Sequence, residues 1–177
     1  FIMLSNRFVC THQPQFTTKC EVTWIKLEVA GSQPLLLAAY YRPHEQDVNS
    51  LDELRKSLET VRKIYKKGNI WLVGDLNFPK ITWKDHIPSI NADCQHRKEY
   101  EKFINIIEDF NLTQMVQEPT RMGNTLDLFL TTNDTLVDKV YTIPGISDHS
   151  GVCVEVNLKA KVQKVNQEKF AYTRKQI

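Results

Sequence analysis

Between positions 21 and 29 apolar and polar residues alternate. Thr23, Ile25, Leu27 and Val29 fall on one face and Lys26 and Glu28 on the other, which is the period of a half-buried strand. Gly31-Ser32-Gln33-Pro34 reads as a turn. Leu35 to Tyr41 then runs apolar without alternation, as a strand covered on both faces does, and Pro43 ends it. The period next becomes helical: Leu51, Leu54, Leu58, Val61 and Tyr65 recur at three- and four-residue steps. Ser50 with Glu53 reads as a capping box at the start of this helix, and Gly68 as its C-terminal cap. Ile70 to Val73 predicts a short buried strand, and Phe78 to Asn91, with Pro79 and Pro88, predicts a loop. Arg97 to Phe110 predicts a second helix with Tyr100, Phe103, Ile107 and Phe110 on one side. Gln114 to Val116 and a turn at Glu118 to Arg121 lead into a strand from Leu126 to Leu130. Phe8 to Thr11, Thr135 to Thr142 and Val152 to Leu158 predict further strands.

From Lys159 onward six Lys or Arg stand against one Glu, with few core-type residues. This stretch reads as a basic linker or tail, which leaves one domain over residues 1–158 and a tail over 159–177. Two helices among many strands, with polar residues gathered at strand exits, predict an α/β fold in which sheets pack face to face with helices outside.

Composition narrows the picture only a little. At 177 residues, with 41% apolar and 25% charged positions, the chain is long enough to bury a core without staples. A net charge of +2 is too mild to indicate nucleic-acid binding by itself. Cys10, Cys20, Cys94 and Cys153 form no C-x-x-C pair, which argues against zinc and for reduced, mostly buried thiols of an intracellular protein, nuclear or cytoplasmic. No apolar run reaches the length of a membrane span. Phe1-Ile2-Met3-Leu4, soon followed by Ser5-Asn6-Arg7, is not a signal peptide. A chain that opens on Phe beside a strand is expected to be part of something longer.

Three short stretches carry the chemistry: Gly74-Asp75-Leu76-Asn77, Thr125-Leu126-Asp127 and Ser147-Asp148-His149. Each sets an acid, an amide or an imidazole next to a predicted strand. Together they offer three carboxylates, one carboxamide and one imidazole. That set suits hydrolysis of a phosphodiester with a divalent cation: oxygen ligands hold a hard metal, a base prepares water, and a donor meets the phosphoryl oxygen. Taken singly, each residue has a plainer reading: a turn aspartate for Asp75, an Asx-turn for Asn77 before Phe78-Pro79, a strand-end acid for Asp127.

With Tyr41-Arg42-Pro43, Gly74-Asp75-Leu76-Asn77-Phe78-Pro79, Gln117-Glu118-Pro119-Thr120-Arg121, Asn124-Thr125-Leu126-Asp127-Leu128 and Ser147-Asp148-His149, the chain resembles the endonuclease/exonuclease/phosphatase superfamily. Within it the chain is most similar to the endonuclease domain of non-LTR (LINE-type) retrotransposons. The resemblance implies a four-layer sandwich of two mainly antiparallel sheets flanked by helices. It implies that Asp75 positions and deprotonates the attacking water, and that Asn77 donates to the phosphate or holds that water. His149 would meet a non-bridging phosphate oxygen, with Asp127 fixing its tautomer. Tyr41 would touch the scissile phosphate. Asp148, together with Asp75 and Asn77, would hold Mg²⁺ or Mn²⁺. The implied partners are the DNA phosphate backbone and a downstream reverse transcriptase domain. Trp83, Lys84 and Lys80 are candidates to stack on or contact DNA, with a packed Trp and solvated lysines as the equal alternative. Arg121 would contact phosphate or cap a turn.

Two residues of the family pattern have no acceptable match: an asparagine on the first strand and a glutamate that is the principal metal ligand. Asn6 and Glu21 are nearest by type and lie outside the motif. The expectation is a fold lacking its N-terminal strands, with weakened Mg²⁺ binding and poor or absent nuclease activity in this chain alone. A non-catalytic remnant or DNA-binding module, and a phosphatase of the same superfamily, stand as alternatives.

Overall fold

The two runs that flank the Gly31 turn form antiparallel neighbours in the computed structural model, which describes residues 2–43, 48–145 and 147–163. In chain order the elements are β1 (Cys10–His12), β2 (Glu21–Leu27), β3 (Leu35–Tyr41), α1 (Val48–Ile64), β4 (Asn69–Asp75), β5 (Ile81–Lys84) and β6 (Ile87–Ile90). There follow α2 (Arg97–Asp109), β7 (Thr113–Gln114), β8 (Asp127–Thr131), β9 (Val137–Ile143) and β10 (Gly151–Val156). Six strands make the main sheet, in the order β1-β2-β3-β4-β8-β7. Among the described residues only β3 and β4 are parallel, and α1 supplies the crossover that parallel neighbours require. β9 pairs with β10, and β5 with β6.

The unalternating run of β3 is explained by the two clusters it serves. Leu36, Ala38 and Tyr40 point to one face of the sheet and pack with Leu51, Leu54, Leu58 and Val61 of α1 and with Tyr100, Phe103 and Ile107 of α2. Leu35 and Leu37 point to the other face, where Trp71, Phe129, Val140, Val152 and Val154 gather. Helices therefore cover one side of the main sheet and the β9–β10 pair faces the other. On the helical side one buried chain of hydrogen bonds ties β2 to α1. Trp24 Nε1 donates to Ser57 Oγ (2.8 Å), which donates in turn to the Phe16 carbonyl (2.5 Å).

Three local expectations need correction. Ser50 is not an N-cap: α1 starts before it, at Val48, and the buried Ser50 hydroxyl pairs with the Tyr40 hydroxyl at 2.5 Å. Glu53 instead accepts from the Lys19 N–H at 3.2 Å. Gly68 lies beyond Ile64 without a positive φ, and a Cβ there would meet Leu36 Cδ2 and Tyr65 Cβ at 3.1 Å, so close packing favours glycine. The stretch 78–91 is not a loop but the β5–β6 hairpin. Its two-residue turn, Asp85-His86, has φ of +50° and +68°, the primed geometry usually built with glycine. Pro88 is tolerated because the hairpin has only two strands and so is edge throughout.

All four cysteines are free, but Cys10 is exposed and the other three are half-buried rather than buried. The first residues of the stretch read as a tail are tied in. Lys161 N donates to Glu28 O (2.8 Å) and Lys161 O accepts from Val9 N (3.0 Å), and Gln163 N donates to Arg7 O (2.8 Å). Residues 164–177, the remainder of that stretch, lie outside the described residues. Among the described residues no helix is long and apolar enough to cross a membrane.

Candidate active site

Asp75 ends β4 and stands directly opposite Asp127, the first residue of β8. Two like charges in register across a ladder are destabilising, so the pair has no structural rationale by itself. The chain holds Asp75 there through four contacts. Arg42 N donates to Asp75 O (3.0 Å), and Leu76 N to Leu126 O (3.0 Å). Asn77 N donates to Asp75 Oδ1 (3.1 Å), and Asn77, at φ +54°, turns the chain away from the strand direction. Asn77 Nδ2 reaches the Pro43 carbonyl at 3.3 Å. Leu76 and Phe78, both buried, fix the loop to the core.

His149 arrives from the opposite side, in the segment that leads into β10. Its Nδ1 lies 2.8 Å from Asp127 Oδ2. An ionised carboxylate only accepts, so Nδ1 carries the proton and donates. Asp75, Asp127 and His149 each present a ligand-type atom, and these atoms lie within 4.8 Å of one another. Burial pushes the Asp75 carboxyl above its ordinary value and the Asp127 carboxylate adds to the rise, while His149, the Asn77 N–H and Arg121 act in the other direction.

A divalent cation fits this donor set. Two crowded carboxylates, one held up by desolvation, are relieved by a cation, and a hard ion with few carboxylate ligands is the usual Mg²⁺ arrangement. With His149 Nδ1 engaged, Asp75 and Asp127 are the residues to hold it.

The remaining sequence candidates divide. Tyr41 is 44% exposed at the end of β3 and lines a cavity of about 500 Å³ with Gly74 and Asp75. Asp148 is not brought into the cluster. Its Oδ2 accepts from Arg121 Nε (2.9 Å) and pairs with Arg121 Nη2 (2.7 Å), and this guanidinium holds the Asp148 carboxyl below the usual range. Trp83 packs against the helical core and Lys80 is paired with Asp93 at 2.7 Å, while Lys84 is exposed.

Three residues hold positions beside the site to which the sequence reading gave no role, Glu21 having been set aside as outside the motif. Glu21 stands opposite Tyr41 in the β2–β3 register and lines the same cavity as Asp75, a placement that only strand register reveals. Thr120 is buried behind Asp127. Arg42 is fully buried, its Nη1 donating to the Asn77 carbonyl at 3.1 Å and its guanidinium 4.2 Å from the centre of the Phe78 ring. Arg42→Lys keeps the charge but loses the planar stack and the reach to Asn77. We expect destabilisation of about 3 kcal/mol, read as a lower urea midpoint at unchanged m. An unchanged midpoint would show that Arg42 does not hold the 75–78 loop.

Solved structures share this architecture. The catalytic domain of Xenopus laevis APE2 matches with a TM-score of 0.52 and 14% identity, over 91% of this chain and 58% of that one. An endonuclease/exonuclease/phosphatase from Beutenbergia cavernae matches with 0.53 and 15%, over 87% and 46%. The human Nocturnin catalytic domain, solved with a bound sulfate, matches with 0.50 and 15%, over 86% and 62%. The chain thus spans about half the length of the solved structures it matches, and at these identities the likeness establishes the fold, the α/β sandwich expected from sequence. No curated protein sequence matches. The profile of the endonuclease-reverse transcriptase family matches residues 35–153, a span that runs from the first residue of β3 through Asp75, Asp127 and His149 into β10, and the chain belongs to that family.

Proposed function

We propose that this chain carries the DNA-nicking centre of a LINE-type element, hydrolysing a phosphodiester with Mg²⁺ or Mn²⁺. The convergence of Asp75, Asp127 and His149 from three separate elements carries the reading. The Pro119-Thr120-Arg121 and Thr125-Leu126-Asp127-Leu128 stretches favour the retroelement branch over phosphatases of the same fold.

In this reading Asp75 accepts a hydrogen bond from the attacking water and takes its proton as the oxygen approaches phosphorus. Its raised proton affinity makes it a better base than a surface aspartate. Asp127 fixes the His149 ring by accepting from Nδ1, which leaves Nε2 to meet a non-bridging phosphoryl oxygen. Asn77 steadies Asp75 through its backbone N–H. Tyr41, which lines the cavity, contacts a phosphate oxygen in this reading. A divalent cation held by Asp75 and Asp127 supplies positive charge where the phosphoryl group gains negative charge. With Asp148 occupied by Arg121, the described residues offer this cation two carboxylates, so nicking by this chain alone is expected to be slow. In a full element the nick would prime a downstream reverse transcriptase.

Supercoiled plasmid incubated with Mg²⁺ should convert to open circle, and EDTA should stop it. His149→Ala should slow conversion about a hundredfold. Release of phosphate from inositol phosphates, with the plasmid left intact, would replace this reading with the phosphatase. Inertness toward both, in a folded chain that binds no Mn²⁺, would leave a non-catalytic module of the same fold.

A further inference from the structure

Asp127 and His149 belong to different sheets. Asp127 begins β8 in the six-stranded sheet, whereas His149 precedes β10 in the two-stranded one. The 2.8 Å between them is therefore an inter-sheet distance that no strand ladder sets. Dense packing does not set it either. Next to the site the sheets are separated by a cleft of about 460 Å³ that runs from Leu37, Trp71 and Val154 to Asp127 and Ser150.

Thr120 ties the two sides of this gap together, beside the Arg121–Asp148 and Glu118–Thr142 pairs. Thr120 is 2% exposed, and its hydroxyl oxygen accepts from both Leu126 N and Asp127 N at 3.0 Å. Its carbonyl accepts from Ser150 N at 2.7 Å, the residue directly after His149. Leu126 O in turn accepts from Leu76 N, directly after Asp75. Thr120 thus bonds directly to the segments of Asp127 and His149 and reaches that of Asp75 through Leu126, and apart from its own hydroxyl every group in these bonds is backbone. We infer that Thr120 is the positioning residue that sets the spacing of the Asp127–His149 pair and, through Leu126, of Asp75.

This inference rests on the reading of those residues as the reacting groups, but its test does not require activity. A ring proton donated from Nδ1 to a carboxylate gives a far-downfield NMR signal that is sensitive to the donor–acceptor distance. It is measured on the full chain, with Asp127→Asn as the assignment control. Thr120→Val keeps the shape and removes the acceptor. The downfield signal should vanish or broaden, with a melting midpoint only a few degrees lower. Thr120→Ser, which restores the hydroxyl, should keep the signal. Where wild type nicks plasmid, kcat should fall about tenfold or more in Thr120→Val with KM unchanged, and recover in Thr120→Ser. A signal unchanged in a folded Thr120→Val overturns the inference. Should that variant unfold, Thr120→Ser and Thr120→Ala decide, since they differ only in the hydroxyl. Signal in Ser and none in Ala supports the inference, and signal in both overturns it. Inactive wild type with a signal that still depends on the hydroxyl would sink the nuclease reading and leave the positioning role standing.

Discussion

Asp75→Asn should reduce plasmid nicking about a thousandfold, the scale of a lost general base, and yet raise the melting midpoint of the metal-free protein at neutral pH. The reason is the register of β4 against β8, which places the Asp75 carboxylate opposite Asp127 and partly out of water. Burial and the neighbouring charge make the folded protein bind the Asp75 proton more tightly than the unfolded chain does. For an acid whose folded pKa is raised, the sign is fixed. Below the unfolded pKa, near 4, both states are protonated and the residue is neutral in the balance. As pH rises through the window up to the folded pKa, the unfolded chain loses its proton first and the fold loses stability. Above that window the penalty is fully present. Asparagine never ionises and escapes it, so the variant's advantage should exist at pH 7 in EDTA and disappear below about pH 4. Adding Mn²⁺ should invert the order, because the cation relieves the wild-type carboxylates and finds one fewer in the variant. Calorimetric titration should show Mn²⁺ affinity lower by about tenfold or more. An Asp75→Asn protein that is less stable than wild type in EDTA at pH 7 would contradict the account of Asp75 as a strained group retained for its chemistry.

What was legible in the sequence follows from which interactions are local. The 3.6-residue rhythm of Leu51, Leu54, Leu58 and Val61 and the unbroken run at Leu35 to Tyr41 record burial directly, and α1, α2, β3 and β4 appear where those patterns lie. The β5–β6 hairpin was hidden because Asp85 and His86 adopt positive φ without glycine and because Pro88 sits in a strand. The start of α1 was misplaced because Ser50, a good cap by type, is used as a buried partner for Tyr40, a contact made only after β3 packs on the helix. The same distinction runs through the site. Asp75, Asp127 and His149 stood out because reactive groups follow short motifs. Asp148 was given as a metal ligand by the resemblance, and in this structure its carboxylate pairs with Arg121, a contact between distant segments that no local motif announces. Thr120, Arg42 and Glu21 act through register and burial, which no local pattern encodes.

Gly74→Ala should be among the most damaging single-methyl additions possible in this fold. Gly74 lies in β4 between β3 and β8, at φ +139°, a region L-residues rarely adopt. A Cβ there would stand 2.0 Å from the Tyr40 carbonyl oxygen and 3.0 Å from its carbon. Those atoms are backbone and cannot rotate away, so β3 and β4 must part where Arg42 N bonds Asp75 O. Backbone strain and overpacking together should cost about 4 kcal/mol, a large part of the stability of an ordinary domain, and lower the melting midpoint by about 10 °C. Gly31→Ala and Gly123→Ala isolate the two terms. Both positions have positive φ, +69° and +79°, but a Cβ at either meets nothing within 4 Å. They should lose only about 1 kcal/mol. The parting of β3 from β4 also loosens the Arg42 N to Asp75 O bond and so moves Asp75 relative to Asp127, so Mn²⁺ affinity should fall in Gly74→Ala and stay unchanged in the two controls. Equal losses of stability at all three positions would mean that backbone conformation alone dictates glycine at position 74, and that the close approach of Tyr40 plays no part in presenting Asp75.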